Sequence, residues 1–201
     1  MPKRDIEILK LLSVALTREK QLVIREEFER YHMGTNWVIK IIVKNHLTSL
    51  VKIQEIIQDE FFEKYDKRPV YLENVIKTAI SEIATHRRLA VNVRSMRDKI
   101  PFFKFGRMIL SQPIIKIDDR TITLKLQDRT EVPIPYDKRS RNSFASQIAE
   151  ILKGEPRGSV IDGKPPVNGR YGRVRLTWNN EGFLGIDIRA SLPERNTSDL
   201  D

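Results

Sequence analysis

Residues 114–135 read IIKIDDRTITLKLQDRTEVPIP, and at this point the apolar period of the chain changes. In the middle run Ile122, Leu124 and Leu126 fall on one side, while Thr121, Thr123 and Lys125 fall on the other, which is the period of a half-buried strand. Asp118-Asp119-Arg120 and Gln127-Asp128-Arg129 separate three short runs. Asp in such positions bonds its own backbone and favours a turn. Pro133 and Pro135 donate no backbone hydrogen bond, so the third run is expected at a sheet edge or leaving the sheet.

Before this stretch the period is helical. Thr17 is placed to cap a helix, with Glu19 in its first turn, and that helix carries Leu22, Phe28 and Tyr31 inward. Gly34 is expected to end it, and Trp37, Ile41 and Ile42 follow in a further helical segment. Ser49 to Tyr65 places Leu50, Ile53, Ile57 and Phe61 on one stripe. Pro69 opens another helix, striped by Leu72, Val75, Ile76, Ala79, Ile80 and Ile83 and running to about Leu89. The first residues are ambiguous. Ile6, Leu9 and Leu12 share a helical face, yet Val14 and Leu16 alternate as in a strand. A leading strand over 5–16 makes the helical bundle an insertion into the β-rich part.

After the alternating runs, Phe144 to Leu152 is a short helix with Phe144, Ile148, Ile151 and Leu152 inward, stopped by Gly154. A Gly- and Pro-rich loop leads to RVRLTW and FLGIDIRA, joined by NNEG as a hairpin. The fold class is α+β: an N-terminal helical bundle, then a small antiparallel β-barrel or meander with an embedded short helix. The domains are read as helical over 1–107, β-rich over 108–190, and a flexible tail over 191–201.

The 201 residues include 36 Lys and Arg against 27 Asp and Glu, a net charge of +9. Such an excess repels itself and points to a polyanionic partner. Cysteine is absent, which excludes disulfides, thiol nucleophiles and thiolate metal sites. No apolar run reaches the ~20 residues that span a bilayer. The opening MPKRDIEILKLLSVAL is interrupted by Asp5, Glu7 and Lys10, unlike a signal peptide. These features point to an intracellular, cytoplasmic protein without a membrane partner.

The charge is concentrated in two places. Between His86 and Arg107 stand Arg87, Arg88, Arg94, Arg97, Lys99, Lys104 and Arg107, against Asp98 alone. Phe102, Phe103 and Phe105 are interleaved with them. Cations neutralise phosphates and aromatic rings offer bases a stacking surface, but the size of these Phe side chains and their place between two packed parts assign them to the core. The second cluster runs from Lys153 to Arg175. Its candidate nucleic-acid contacts are Lys164, Arg170, Tyr171, Arg173 and Arg175, with Gly169 and Gly172 letting the backbone approach a phosphate. Neither a Walker loop nor a dinucleotide fingerprint is present.

No catalytic set is assembled by the sequence. His32, His46 and His86 lie in separate segments without the convergent partners a metal needs, and serine-nucleophile signatures are absent. Asp187, in LGIDIRA, has the setting of a first carboxylate in two-metal nucleases. Alternation instead puts Phe183, Gly185, Asp187 and Arg189 outward with Leu184, Ile186 and Ile188 inward. No catalytic residue, metal or cofactor is therefore expected.

The order LTREKQLVIREEFERY, TNWVIKII, YLENVIKTAISEIA with the basic segment after it, then IIKIDDRTITLKL, resembles the N-terminal part of the TnpB (OrfB) transposon-encoded RNA-guided nucleases. The resemblance covers most of residues 1–190. It implies a helical recognition lobe inserted in a β-barrel wedge domain, the two together gripping a guide RNA and its heteroduplex. The chain departs from the family in lacking the Cys pairs of its zinc-binding module and a complete set of nuclease acids, and in carrying Arg189 where Gly is usual. The expectation is an N-terminal half that holds nucleic acid, RNA before DNA, with cleavage supplied by a partner chain carrying a nuclease domain. A stand-alone DNA-binding accessory protein of a mobile element or virus, or a basic protein-interaction module, are the other readings.

Overall fold

The computed structural model describes residues 4–153 and 171–193. The chain forms two compact units: a β unit from residues 1–16, 111–125 and 131–201, and a helical unit from 17–110 with the turn 126–130. The helical unit is thus an insertion after the first strand of the β unit.

In the β unit, β1 (Arg4–Leu12) pairs antiparallel with β7 (Leu184–Pro193), which pairs antiparallel with β6 (Tyr171–Trp178). The ambiguous N-terminal stretch is a strand, not a helical face: Leu9 and Leu11 are buried while Ile8 and Leu12 are exposed. In β7 the inward set is Leu184, Ile186, Ile188 and Ala190, the alternation its sequence displays. A second sheet is the meander β3 (Ile115–Ile117), β4 (Thr121–Lys125) and β5 (Glu131–Pro135). An isolated bridge between Ser13 and Tyr136 ties the end of β1 to the end of β5.

These strands form antiparallel sheets and no closed barrel, which corrects the barrel expectation in favour of the meander. The reason lies in β5. Pro133 and Pro135 alternate along it and offer no N–H to a further strand, so β5 is an edge. Two short helices follow. The first, α4 (Lys138–Ser143), is capped by the Asp137 carboxylate, which accepts from Arg139 N and Ser140 N. The second, α5 (Ala145–Leu152), buries Ile148 and Ile151 but leaves Leu152 exposed. Gly154, expected to stop it, lies outside the described residues, as do 194–201; the tail read over 191–201 is corrected at its start, because β7 carries 191–193 into register with β1.

The helical unit is built on α1 (Arg18–Lys44), α2 (Leu50–Lys64) and α3 (Pro69–Asn92). Thr17 caps α1 by accepting from Lys20 N. Gly34 does not end this helix, which continues 10 residues further to Lys44. Its lack of a side chain serves packing instead, because a Cβ there would stand 3.0 Å from Cε2 of Phe61 on α2. Leu22, read as inward, is exposed. Pro69 opens α3, where a missing N–H does no harm.

A buried charge network fixes the turn between α2 and α3. Asp66 is wholly buried and accepts from Arg68 through its backbone N–H at 2.9 Å, Nε at 2.9 Å and Nη2 at 2.7 Å. Arg68 also reaches Glu27 on α1 at 3.4 Å and lies 4.8 Å above the Tyr71 ring. Glu27 pairs in addition with Arg30. Burial pushes Glu27 above its ordinary value of 4.5, against the pull of Arg30 and then Arg68. Unpaired, such buried charges would carry a desolvation penalty of several kcal/mol each, about what makes the pairing obligatory here. No helix among the described residues is long and apolar enough to cross a membrane.

Candidate functional site

The segment leaving α3 carries the larger basic cluster. Arg87 and Arg88 occupy exposed positions in its last turns. The chain extends at Val93, makes a single 3-10 turn over Arg94–Met96, and then folds back. Arg97 donates from Nε to the Ala90 carbonyl and from Nη2 to the Val91 carbonyl, both at 3.1 Å. The last carbonyls of a helix lack partners and carry partial negative charge, so Arg97 serves as the cap of α3. Arg107 is likewise engaged: it pairs with Glu82 at 3.3 Å and covers the Phe103 ring at 5.1 Å. Arg87, Arg88, Arg94, Lys99 and Lys104 are exposed and join no carboxylate among the described residues.

The aromatic residues of the segment divide. Phe103 is 0% exposed, Phe102 is 64% exposed and Phe105 is 42% exposed. Adjacent residues of an extended chain point to opposite sides, and the side chosen is set from α1. Asn36 donates from Nδ2 to the Phe103 carbonyl at 3.0 Å and accepts from Phe103 N–H at 2.9 Å. Phe103 then packs edge-on against Tyr31, ring centroids 5.9 Å apart, and Tyr31 against Tyr71 at 5.7 Å. The Tyr31 hydroxyl is shared with Thr78 at 2.7 Å and donates to the Ile109 carbonyl of β2 (Arg107–Leu110) at 2.9 Å. The ring is locked in.

With Phe103 inward, Phe102 and Phe105 flank His32. Its ring lies 5.4 Å from Phe102 and 5.9 Å from Phe105, at interplanar angles of 78° and 81°. Gly106 follows at φ 94°, a left-handed turn that glycine adopts without strain, and sends the chain into β2. The result is an exposed aromatic cluster with Lys104 between its two Phe residues. The sequence reading placed all three Phe side chains in the core, weighed His32 only as a metal ligand and did not single out Asn36. The signal available was the adjacency of Phe102 and Phe103, which cannot share one face of extended chain.

The second cluster lies on the β unit. Lys164 and Arg170 fall outside the described residues. Tyr171 is buried, not offered to a ligand: its hydroxyl accepts from Ile117 N–H at 3.3 Å and lies 3.4 Å from the Ile115 carbonyl. Burial pushes that hydroxyl up to about 12. Tyr171 therefore clasps β6 to β3, which buries the side chain that the sequence offered as a candidate nucleic-acid contact. Arg173 is exposed beside the register shift between Tyr171 and Val174. Arg175 faces Asp187 across the ladder, with 3.6 Å between their charged atoms. Asp187 thus has a cross-strand partner, and among the described residues no group of three or more His, Cys, Asp or Glu converges as a metal site.

No protein-family model matches the sequence, and no curated protein matches it.

Proposed function

We propose that this protein holds nucleic acid, single-stranded RNA before DNA, on the 86–107 face of its helical unit. The observation that carries the reading is the exposed pair Phe102 and Phe105 around His32, in a segment whose Arg87, Arg88, Arg94, Lys99 and Lys104 join no carboxylate among the described residues. Exposing two large rings wastes apolar burial unless a flat ligand covers them. Bases provide such faces, and phosphates match the neighbouring Arg and Lys. Paired bases in a duplex are already stacked, so this arrangement favours a single strand.

Insertion of the helical unit behind β1 supports the further reading of the chain as a TnpB-like half that grips a guide RNA. Holding is the role assigned to it; cleavage would come from a partner chain with a nuclease domain. A cytoplasmic location is part of the same proposal. The test is a titration of the full chain with single-stranded RNA and with duplex DNA of the same sequence. Tighter binding of RNA, weakening with salt, supports the proposal. Equal or stronger binding of duplex DNA favours the accessory-protein reading, and binding of neither favours a protein partner.

A further inference from the structure

A cleft of about 480 Å³ opens at the end of α3, bordered by Pro101, the residue before Phe102. Its lining combines apolar Val43 of α1, Ile83 and Pro101 with His86, Arg87 and Lys99. Arg97 also borders it, but its guanidinium is engaged with the Ala90 and Val91 carbonyls. By covering those carbonyls it offsets the negative end of the helix, which would otherwise repel an anion from this spot. Arg87 and Lys99 then face the cleft with no carboxylate partner among the described residues. His86 Nε2 is buried and has no hydrogen-bond partner there.

We infer that this cleft binds a nucleoside monophosphate unit, its phosphate on Arg87 and Lys99 and its sugar or base against Val43, Ile83 and Pro101. A lone phosphate leaves most of the volume empty, whereas clefts of this size suit a ligand with an apolar body and few polar groups. The inference rests on the RNA reading and deepens it. If the nucleotide is a strand's terminal one, the cleft anchors the end of an RNA whose next bases reach the Phe102 and Phe105 rings.

The test uses the full chain with three probes: adenosine 5′-monophosphate, a short single-stranded RNA with a terminal phosphate at either end, and the same RNA with hydroxyl ends. A terminal phosphate is expected to tighten binding about tenfold, as charge-assisted hydrogen bonds do. The mononucleotide should compete, and the double variant Arg87→Gln/Lys99→Gln should abolish both effects while keeping the wild-type melting temperature. Competition by the mononucleotide without any end preference marks a free nucleotide as the ligand and supports the cleft. Equal affinity for both RNAs with no binding of the mononucleotide overturns the inference while leaving RNA binding standing. Mononucleotide binding that the double variant removes, with no RNA binding, supports the cleft and removes the RNA reading.

Discussion

Asn36 and Phe103 are joined side chain to backbone by two hydrogen bonds, 3.0 Å from Asn36 Nδ2 to the carbonyl and 2.9 Å from the amide to Asn36 Oδ1. One helical side chain thereby substitutes for a strand neighbour and decides which Phe of the segment goes inward.

Replacing this residue tests that role. Asn36→Ala leaves both backbone groups of Phe103 without their partner, and the expected loss is about 1–3 kcal/mol in urea unfolding. Because the same bonds set the outward pose of Phe102 and Phe105, RNA affinity should fall together with stability. A stable Asn36→Ala protein with an unchanged fold would show that Phe103 packing alone orders the segment.

The Asp66–Arg68 pair is predicted to matter through desolvation. Arg68→Met strands a fully buried carboxylate, which should cost about 3–5 kcal/mol. Adding Asp66→Asn removes the stranded charge and should recover a large part of that loss. Thermal or urea unfolding of the two single variants and the double variant closes the cycle. Additive losses would mean that the two residues are not coupled.

Glu27 gives a pH dependence of definite sign. Its value is raised above 4.5 by burial, so the folded state holds the proton more tightly than the unfolded chain. Its contribution is full below 4.5 and is lost as pH rises through the folded value. Urea midpoints measured from about pH 4 to about pH 7 should therefore show the wild type losing stability relative to Glu27→Gln as pH rises. A constant difference would contradict the assignment.

The free cations predict a salt slope. If Arg87, Arg88, Arg94, Lys99 and Lys104 each neutralise one phosphate, log affinity for single-stranded RNA should fall with log salt at a slope of about −3.5. Each Arg→Gln or Lys→Gln change should flatten it by about 0.7. Arg97→Gln should act differently, lowering stability by uncapping α3 with little effect on the slope. A slope unmoved by Arg87→Gln and Lys104→Gln would place the RNA elsewhere.

Much of the fold was legible because local pattern and tertiary burial agree. The alternation in β4 and β7, Thr17 as a cap and Pro69 as a helix opener all mark elements that the structure contains. The sequence misleads where a residue answers to a distant neighbour. Gly34 looks like a helix stop, yet it is the place where Phe61 comes close to α1. The aromatic site was less legible for the same reason. Whether Phe102 or Phe103 turns inward is set by Asn36, 67 positions from Phe103, and no local periodicity contains that information. Tyr171, between glycines and arginines, looks like a nucleic-acid contact, but its contacts to Ile115 and Ile117 belong to sheet geometry.

The most direct measurement is RNA affinity of the Phe102→Ala/Phe105→Ala double variant beside its unfolding free energy. Phe102 is 64% exposed, whereas Phe105 is 42% exposed and packs 6.3 Å from the buried Phe28 ring, so the double variant should lose roughly 1–3 kcal/mol and its affinity is read at a temperature where it stays folded. Affinity for single-stranded RNA should drop about tenfold or more, the loss expected when stacked bases give up their aromatic partners. Wild-type RNA affinity in a correctly folded double variant would contradict the account.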